Sequence, residues 1–360
     1  MRDQNIRDVL LLVAALAAAP TFVRAQEKKP AEPPAPKVEQ HDALRKLAGD
    51  WDWTSRIAAI PGIPGFEKVQ QSAGSEHAEL ICNGLWLETV KNSTLQGRPF
   101  QSISILGYDR FQGRYTSYGI DSAGPGCSSS DVTYDEKTRT WTFQGNSKHG
   151  VMRSTLVFTD DDSSTQTYWM PGPDGKEMQW MEATRKRASK PAPVIAADAS
   201  LKAANKDLEP LWSGIGTWTA TMKMSGSDMP GGDVSAGQAT EKVTPICNGN
   251  WVWTDFTGTI MGQPFEGHGF TCYDTDAKQY VNYWIDSWNC LCRRTTGTRD
   301  AGRNTLTMDG ACLDAEGKPG TVHQVMASPD AGTRTMDMTF KSPARTVQMV
   351  ITYRKAAGKS

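Results

Sequence analysis

The stretch Ile81-Cys82-Asn83-Gly84-Leu85-Trp86 returns 165 residues later (246 − 81) as Ile246-Cys247-Asn248-Gly249-Asn250-Trp251. Upstream, Gly49-Asp50-Trp51 matches Gly216-Thr217-Trp218 at an offset of 167 (216 − 49). The following pairs keep the first offset: Gly97-Arg98-Pro99-Phe100 with Gly262-Gln263-Pro264-Phe265, Tyr108-Asp109 with Tyr273-Asp274, and Tyr118, Ile120, Asp121 and Ser122 with Tyr283, Ile285, Asp286 and Ser287. A period this long indicates two duplicated domains, because the repeats of a solenoid are much shorter.

The pattern inside each unit is one of short strands joined by tight turns. Asn83-Gly84 and Asn248-Gly249 are typical of type I′ hairpins, whose two central residues need positive φ. Segments 115–121 and 280–286 are rich in residues that favour strands. A meander of eight or more strands usually closes into a barrel, which removes its edges. The sequence therefore predicts an all-β protein of two tandem antiparallel meander β-barrels, each preceded by a short helix.

Composition and the N-terminal residues indicate the protein's class and compartment. Lys plus Arg is 39 and Asp plus Glu is 40, so the net charge of −1 excludes a strongly basic nucleic-acid binder. Residues 1–25 are predicted to be a signal peptide, because the apolar run 9–19 is too short to span a bilayer and Val23-Arg24-Ala25 resembles a cleavage site. Because no other segment approaches transmembrane length, we expect a periplasmic or secreted protein that is not integral to the membrane.

Domain boundaries follow from the repeat and from the proline-rich segments. We predict a disordered Pro-rich spacer at 26–38, a first barrel at 39–187, a linker at 188–199 and a second barrel at 200–356.

The repeated motifs together resemble an uncharacterised bacterial family known only as a domain of unknown function. These motifs are Gly-x-Trp, Asn-Gly-x-Trp, Gly-x-Pro-Phe, Tyr-Asp and, in the second unit, Trp284-Ile285-Asp286-Ser287. The resemblance covers residues 44–186 and 211–355 and implies a lipocalin-like barrel in two tandem copies. It implies no activity.

Barrels of this type place an Arg or Lys of the last strand over the Trp of the first strand. The sequence offers Trp51 with Arg185 in the first unit and Trp218 with Arg354 in the second. An Arg over an indole adds about 0.5–2 kcal/mol. We expect both pairs to be structural and to close the barrels.

Seven cysteines in an exported chain favour disulfides over a metal site. Repeat symmetry suggests Cys82–Cys127 and Cys247–Cys292, whereas a simple meander places those positions at distant strand ends. The local hairpin at 299–303 favours instead a bridge from Cys312 to Cys290 or Cys292. Both schemes remain open on the sequence, and neither a metal nor a cofactor is predicted.

Two functional readings other than binding are possible. Asp121 and Asp286 recur at strand ends and are weak candidates for an acid or base, although such residues more often cap turns. Barrels filled with their own aromatic side chains would instead make an envelope scaffold. The favoured hypothesis is a non-catalytic protein that binds a small, largely apolar molecule in one or both barrels.

Overall fold

The computed structural model describes residues 38–60, 66–95, 97–147, 150–172, 175–191, 206–226, 234–314, 317–343 and 345–356. The predicted signal peptide, nearly all of the predicted spacer and most of the predicted linker lie outside these residues. The chain divides into two compact units, and the division falls between Asp198 and Ala199.

The first unit begins with the α-helix Gln40–Ala43 and the 3-10 helix Leu44–Lys46. Ten strands follow: β1 Gly49–Ile57, β2 Gln70–Ile81, β3 Trp86–Leu95, β4 Arg98–Asp109, β5 Arg114–Asp121, β6 Gly124–Asp135, β7 Thr140–Ser147, β8 Gly150–Phe158, β9 Ser163–Pro171 and β10 Glu177–Arg187. A 3-10 turn, Cys82–Gly84, joins β2 to β3.

The second unit repeats this order with the 3-10 helix Lys206–Leu208 and the α-helix Glu209–Trp212. Its strands are β11 Gly216–Gly226, β12 Val234–Ile246, β13 Trp251–Ile260, β14 Gln263–Asp274, β15 Gln279–Asp286, β16 Asn289–Asp300, β17 Thr305–Leu313, β18 Pro319–Asp330, β19 Thr333–Lys341 and β20 Thr346–Lys355. The turn Cys247–Gly249 joins β12 to β13.

Each unit is a closed antiparallel barrel in which sequential strands are neighbours and the last strand pairs with the first. Trp51 lies opposite Glu76 on β2 and Arg187 on β10, and Trp218 lies opposite Glu241 on β12 and Lys355 on β20. The prediction of two tandem meander barrels is confirmed, with ten strands in each. Closure leaves neither sheet with an exposed edge.

The Gly-x-Trp motif anchors the short helices over one end of each barrel. The Trp51 indole Nε1 donates to the Leu47 carbonyl oxygen at 3.0 Å, and the Trp218 Nε1 donates to that of Gly214 at 2.8 Å. We call the helical residues 40–46 and 206–212, which precede the two barrels, the lead-in segments. The hydroxyls of Tyr115 and Tyr280 also donate to backbone carbonyl oxygens of these segments, each at 2.6 Å. Because the same bonds occur in both units, the duplication includes the lead-in segment.

The Asn-Gly turns adopt the predicted positive φ, but the left-handed segment is longer than a two-residue hairpin. Cys82, Asn83 and Gly84 have φ of 53°, 58° and 80°, and the second unit repeats these angles within 3°. Asn and Gly tolerate this conformation better than most residues. Among the described residues, no helix is long and apolar enough to cross a membrane.

Candidate functional site

The interior of the second barrel contains a cavity of about 620 Å³. This volume lies within the range of small-molecule sites in proteins. Its apolar lining includes six methionines and a set of aromatic rings: Met222, Met308, Met326, Met336, Met338, Met349, Trp218, Phe256, Phe265, Trp284, Phe340, Tyr280 and Tyr353. Unbranched, polarizable methionine side chains adapt readily to different shapes, so this lining suits an apolar guest.

Two glycines of β14 leave room for the large ring of Trp284. A Cβ at Gly267 would lie 2.4 Å from the Trp284 ring, and one at Gly269 would lie 3.1 Å from it. Gly269 is directly opposite Trp284 in the register of β14 and β15. The glycines therefore allow the indole to lie against the barrel wall, where it lines the cavity.

The first barrel has polar residues at several matching inward positions. Register matches Lys91 to Phe256, because the two residues lie opposite Glu76 and Glu241 respectively. In the same way Tyr168 matches Met338, since they lie opposite Ser154 and Gln324. Further matches are Ser55 with Met222 and Gln166 with Met336. Trp218 and Phe265 of the lining belong to the repeated motifs, but Met222, Phe256, Met336 and Met338 are apolar only in the second copy.

A buried ion pair lies beneath the first-strand tryptophan of each barrel. In the first barrel, the Arg185 guanidinium carbon is 4.5 Å from the centroid of the Trp51 ring, and Arg185 Nη1 donates to Glu76 Oε1 at 2.5 Å. The predicted Trp51–Arg185 pair is therefore in contact. Arg187 lies 3.8 Å from the Trp51 ring as well.

The second barrel uses a different arginine from the one that the sequence suggests. The Arg334 guanidinium, on β19, is 4.6 Å from the Trp218 ring and is ion-paired with Glu241. Arg354 is exposed and donates to Thr333 Oγ1. The predicted Trp218–Arg354 contact is wrong, because side chains alternate along β20 and Tyr353 takes the inward position.

The two buried glutamates respond differently to their surroundings. Burial opposes ionisation of Glu76, but the charges of Lys91 and Arg185 outweigh it and lower its pKa. Burial raises the pKa of Glu241, because Arg334 and a hydrogen bond from Tyr353 offset only part of that cost. The difference follows from the replacement of Lys91 by Phe256 in the second copy.

The repeated aspartates hold the ends of their strands. Asp286 Oδ1 accepts from the Trp288 backbone N–H at 3.0 Å, and its Oδ2 accepts from Trp284 Nε1 at 3.1 Å. Burial raises the pKa of Asp286 to about 6. Asp121 Oδ1 accepts from the Ala123 backbone N–H at 2.7 Å, and burial raises its pKa as well. Both carboxylates are bonded to their own turns, and neither lines the cavity.

The structure does not form the predicted local disulfide from Cys312 to Cys290 or Cys292. Continuing the register of β16 and β17 by two residues brings Arg293 opposite Cys312. Cys290 and Cys292 lie between Asn289 and Arg293, where the register of β15 and β16 shifts, and neither lies opposite Cys312. No disulfide joins any two of the seven cysteines, all of which are described.

The bridges suggested by repeat symmetry are also ruled out by strand order. Strands β3, β4 and β5 separate Cys82 from Cys127, and β13, β14 and β15 separate Cys247 from Cys292. Neighbouring strands lie about 4.8 Å apart, so three intervening strands separate the Cα atoms of each pair by more than the roughly 7 Å that a disulfide allows.

The sequence-based predictions missed these charged residues inside the barrels: Glu76, Lys91, Glu241, Arg334 and Arg293. Glu76 and Glu241 lie at the repeat offset of 165 (241 − 76), so the repeat contained the signal for this pair. Arg334 and Arg293 have Ser164 and Ser128 at the matching positions of the first barrel, and for them the repeat offers no signal.

The fold and the cavity define this protein as a tandem β-barrel protein with a ligand-sized chamber in its second barrel. A family model described as a protein of unknown function (DUF1579) matches residues 36–187 and 207–355. The chain belongs to this family, in two tandem copies. Comparison with curated proteins gives no match.

Several solved structures are similar in outline. An S-type phycobiliprotein lyase from Guillardia theta matches with a TM-score of 0.30 and 8% identity, over 46% of this chain and all of its own. A DUF3598 protein of unknown function from Nostoc punctiforme matches with a TM-score of 0.26 and 9% identity, over 89% and 100% of the two chains. A transferrin-binding protein B from Haemophilus parasuis has a TM-score of 0.20 and 9% identity, over 86% and 76%. Scores this low say nothing about function.

Proposed function

We propose that this protein binds a small, largely apolar molecule inside its second barrel and performs no chemistry on it. The observation that carries the proposal is the cavity of about 620 Å³ lined by six methionines and by aromatic rings. Burying apolar area contributes about 25 cal/mol per Å², so an apolar guest is stabilised there without needing many polar contacts.

The cavity also favours binding over the two alternatives. A scaffold barrel filled by its own rings needs no chamber of this size. An acid or base must reach the reacting atoms, and Asp286 is turned toward Trp284 and Trp288 and away from the cavity. Export through residues 1–25 stays part of the proposal on sequence grounds alone.

The test is a titration of the full chain with N-phenyl-1-naphthylamine, an uncharged apolar dye that fluoresces when removed from water. We expect saturable binding to the wild type. Met338→Trp adds volume to the cavity wall and is expected to weaken binding about tenfold or more. Val350→Trp is the matched control, because Val350 is 40% exposed on the neighbouring strand β20.

Thermal melting of both variants shows whether each barrel is intact. A wild type that does not bind the dye, or equal binding by folded Met338→Trp and Val350→Trp, would contradict the proposal.

A further inference from the structure

Arg293 is a cation in the lining of the apolar cavity, and among the described residues no carboxylate forms an ion pair with it. It lines the cavity and lies opposite Trp284 in the register of β15 and β16. Its guanidinium carbon is 5.3 Å from the centroid of the Phe340 ring. Its Nε is buried and has no hydrogen-bond partner. A guanidinium that lines an apolar cavity without a carboxylate partner is suited to an acceptor that arrives with a ligand.

The other guanidinium groups that line the cavity already have acceptors. Arg334 is ion-paired with Glu241, and Arg299 Nη2 donates to Asn304 Oδ1 at 2.9 Å. Arg185, in the first barrel, is likewise paired with Glu76. Arg334 Nε and Arg185 Nη2 also lack a partner of their own, but each of these two guanidinium groups is held by a glutamate. Among these four arginines, Arg293 therefore differs in having no side-chain acceptor.

Asp286 is the carboxylate that acts most strongly on the Arg293 charge, but its oxygens already accept other hydrogen bonds. Asp286 attracts Arg293 through space, but its two oxygens accept from Trp288 and Trp284. Within the described residues the two side chains form no ion pair. The Arg293 charge thus remains available to a guest.

The charged residues that line the cavity carry a net positive charge, as Arg293 itself does. Its charged members are the cations Arg293, Arg299, Arg334 and Lys355 and the carboxylates Glu241 and Asp330. An excess of positive charge in a low-dielectric chamber favours an anionic group.

We infer that the ligand of the second barrel is an amphiphile with a carboxylate head, which binds Arg293 while its alkyl chain lies along the methionines toward the lead-in helix. This inference rests on the proposed function and adds the class of ligand. Arg293 and Arg299 are six residues apart on β16, which corresponds to about 20 Å of strand, and both line the cavity. The chamber is therefore long enough for an extended chain.

The experiment compares dodecanoic acid with dodecan-1-ol, which share a chain and differ in head-group charge. Calorimetric titrations use the full-length wild type, Arg293→Met and Arg294→Met. Arg294 is the matched control, because it adjoins Arg293 but is exposed on the outside of the barrel. A charge-assisted hydrogen bond is worth enough to make the wild type prefer the acid by about 10- to 100-fold.

We expect Arg293→Met to lose this preference while its affinity for the alcohol stays within about threefold of the wild-type value. Arg294→Met should behave as the wild type does. Arg293→Gln, which keeps a donor but removes the charge, provides a second variant if the methionine variant melts at a much lower temperature.

Two failures can be told apart. If the wild type binds acid and alcohol equally, or if a folded Arg293 variant keeps the preference, the carboxylate assignment is wrong although the barrel still binds apolar chains. If the wild type binds neither compound and also fails to bind the neutral dye, the proposed function itself is wrong.

Discussion

The Arg334 guanidinium lies 4.6 Å from the Trp218 ring while forming a buried ion pair with Glu241. Arg185 makes the same two contacts with Trp51 and Glu76, but it comes from the last strand of its barrel, whereas Arg334 comes from the last but one. Arg185 lies opposite Ser164, and Arg334 lies opposite Tyr353. Each barrel therefore places an arginine guanidinium at the equivalent position beside its first-strand tryptophan, but the arginine comes from a different strand in each.

Removing the Arg334 side chain should destabilise the second barrel strongly. Arg334→Ala leaves Glu241 buried without its cation, and breaking a buried pair in this way costs about 3–5 kcal/mol. Arg354→Ala removes an exposed side chain and should change the free energy of unfolding by less than about 0.5 kcal/mol. Denaturant unfolding of the full chain measures both.

A double variant separates loss of the pair from loss of packing. Arg334→Met combined with Glu241→Leu removes both charges and should recover most of the stability that Arg334→Ala loses. If Arg354→Ala were the more damaging single change, the assignment of Arg334 to the Trp218 site would be wrong.

Each barrel should fold without the other. Every strand of a unit pairs only with strands of the same unit, and each lead-in helix is bonded to its own barrel. Residues 26–190 and 198–360, expressed separately, are expected to give dispersed amide spectra by NMR. A disordered spectrum from either fragment would show that its barrel depends on the rest of the chain.

Asp286 should make the second barrel more stable in mild acid. Its folded pKa of about 6 exceeds the ordinary value of 3.8, so the folded state holds the proton more tightly than the unfolded state. Its contribution to the free energy of unfolding is therefore most favourable below about pH 4 and falls as pH rises from about 4 to 6. A shift of this size corresponds to roughly 3 kcal/mol.

The Asp286→Asn variant isolates this effect from the other carboxylates. Asparagine can still accept from the Trp288 backbone N–H, so the variant should be more stable than the wild type at pH 7 and should lose that advantage near pH 4. Urea unfolding at both pH values provides the comparison. A variant equally destabilised at both would indicate that the carboxylate is ionised and needed in the turn.

Cys312 should carry a free thiol. Its side chain packs against the core of the second barrel, and continuing the register of β16 and β17 places Arg293 opposite it, not Cys290 or Cys292. After unfolding in denaturant without reductant, alkylation and peptide mapping should find Cys312 alkylated. Recovery of a peptide that joins Cys312 to Cys290 or Cys292 would show that β16 and β17 pair in another register.

The repeat predicted the architecture because the motifs that define it are local. Gly-x-Trp, the Asn-Gly turns and the strand-forming segments act through backbone conformation and nearby hydrogen bonds, and both copies keep them. The Trp51–Arg185 contact could be predicted from the barrel itself, because closure brings the last strand beside the first.

The cavity could not be predicted in this way. It depends on which residues occupy inward positions across ten strands, and these positions differ between the copies, as Lys91 and Phe256 or Tyr168 and Met338 show. The prediction that Arg354 contacts Trp218 failed because it also depended on which residues face inward. An error of one residue along a strand moves a side chain to the other face.

The most direct test of the central claim is NMR of the full chain labelled with [methyl-¹³C]methionine, titrated with dodecan-1-ol. We expect the methyl signals of the six cavity methionines to shift and saturate together: Met222, Met308, Met326, Met336, Met338 and Met349. The four described methionines of the first barrel serve as internal controls and should stay in place: Met152, Met170, Met178 and Met181. Shifts confined to the first barrel, or no saturable shift among the six, would contradict an apolar binding site in the second barrel.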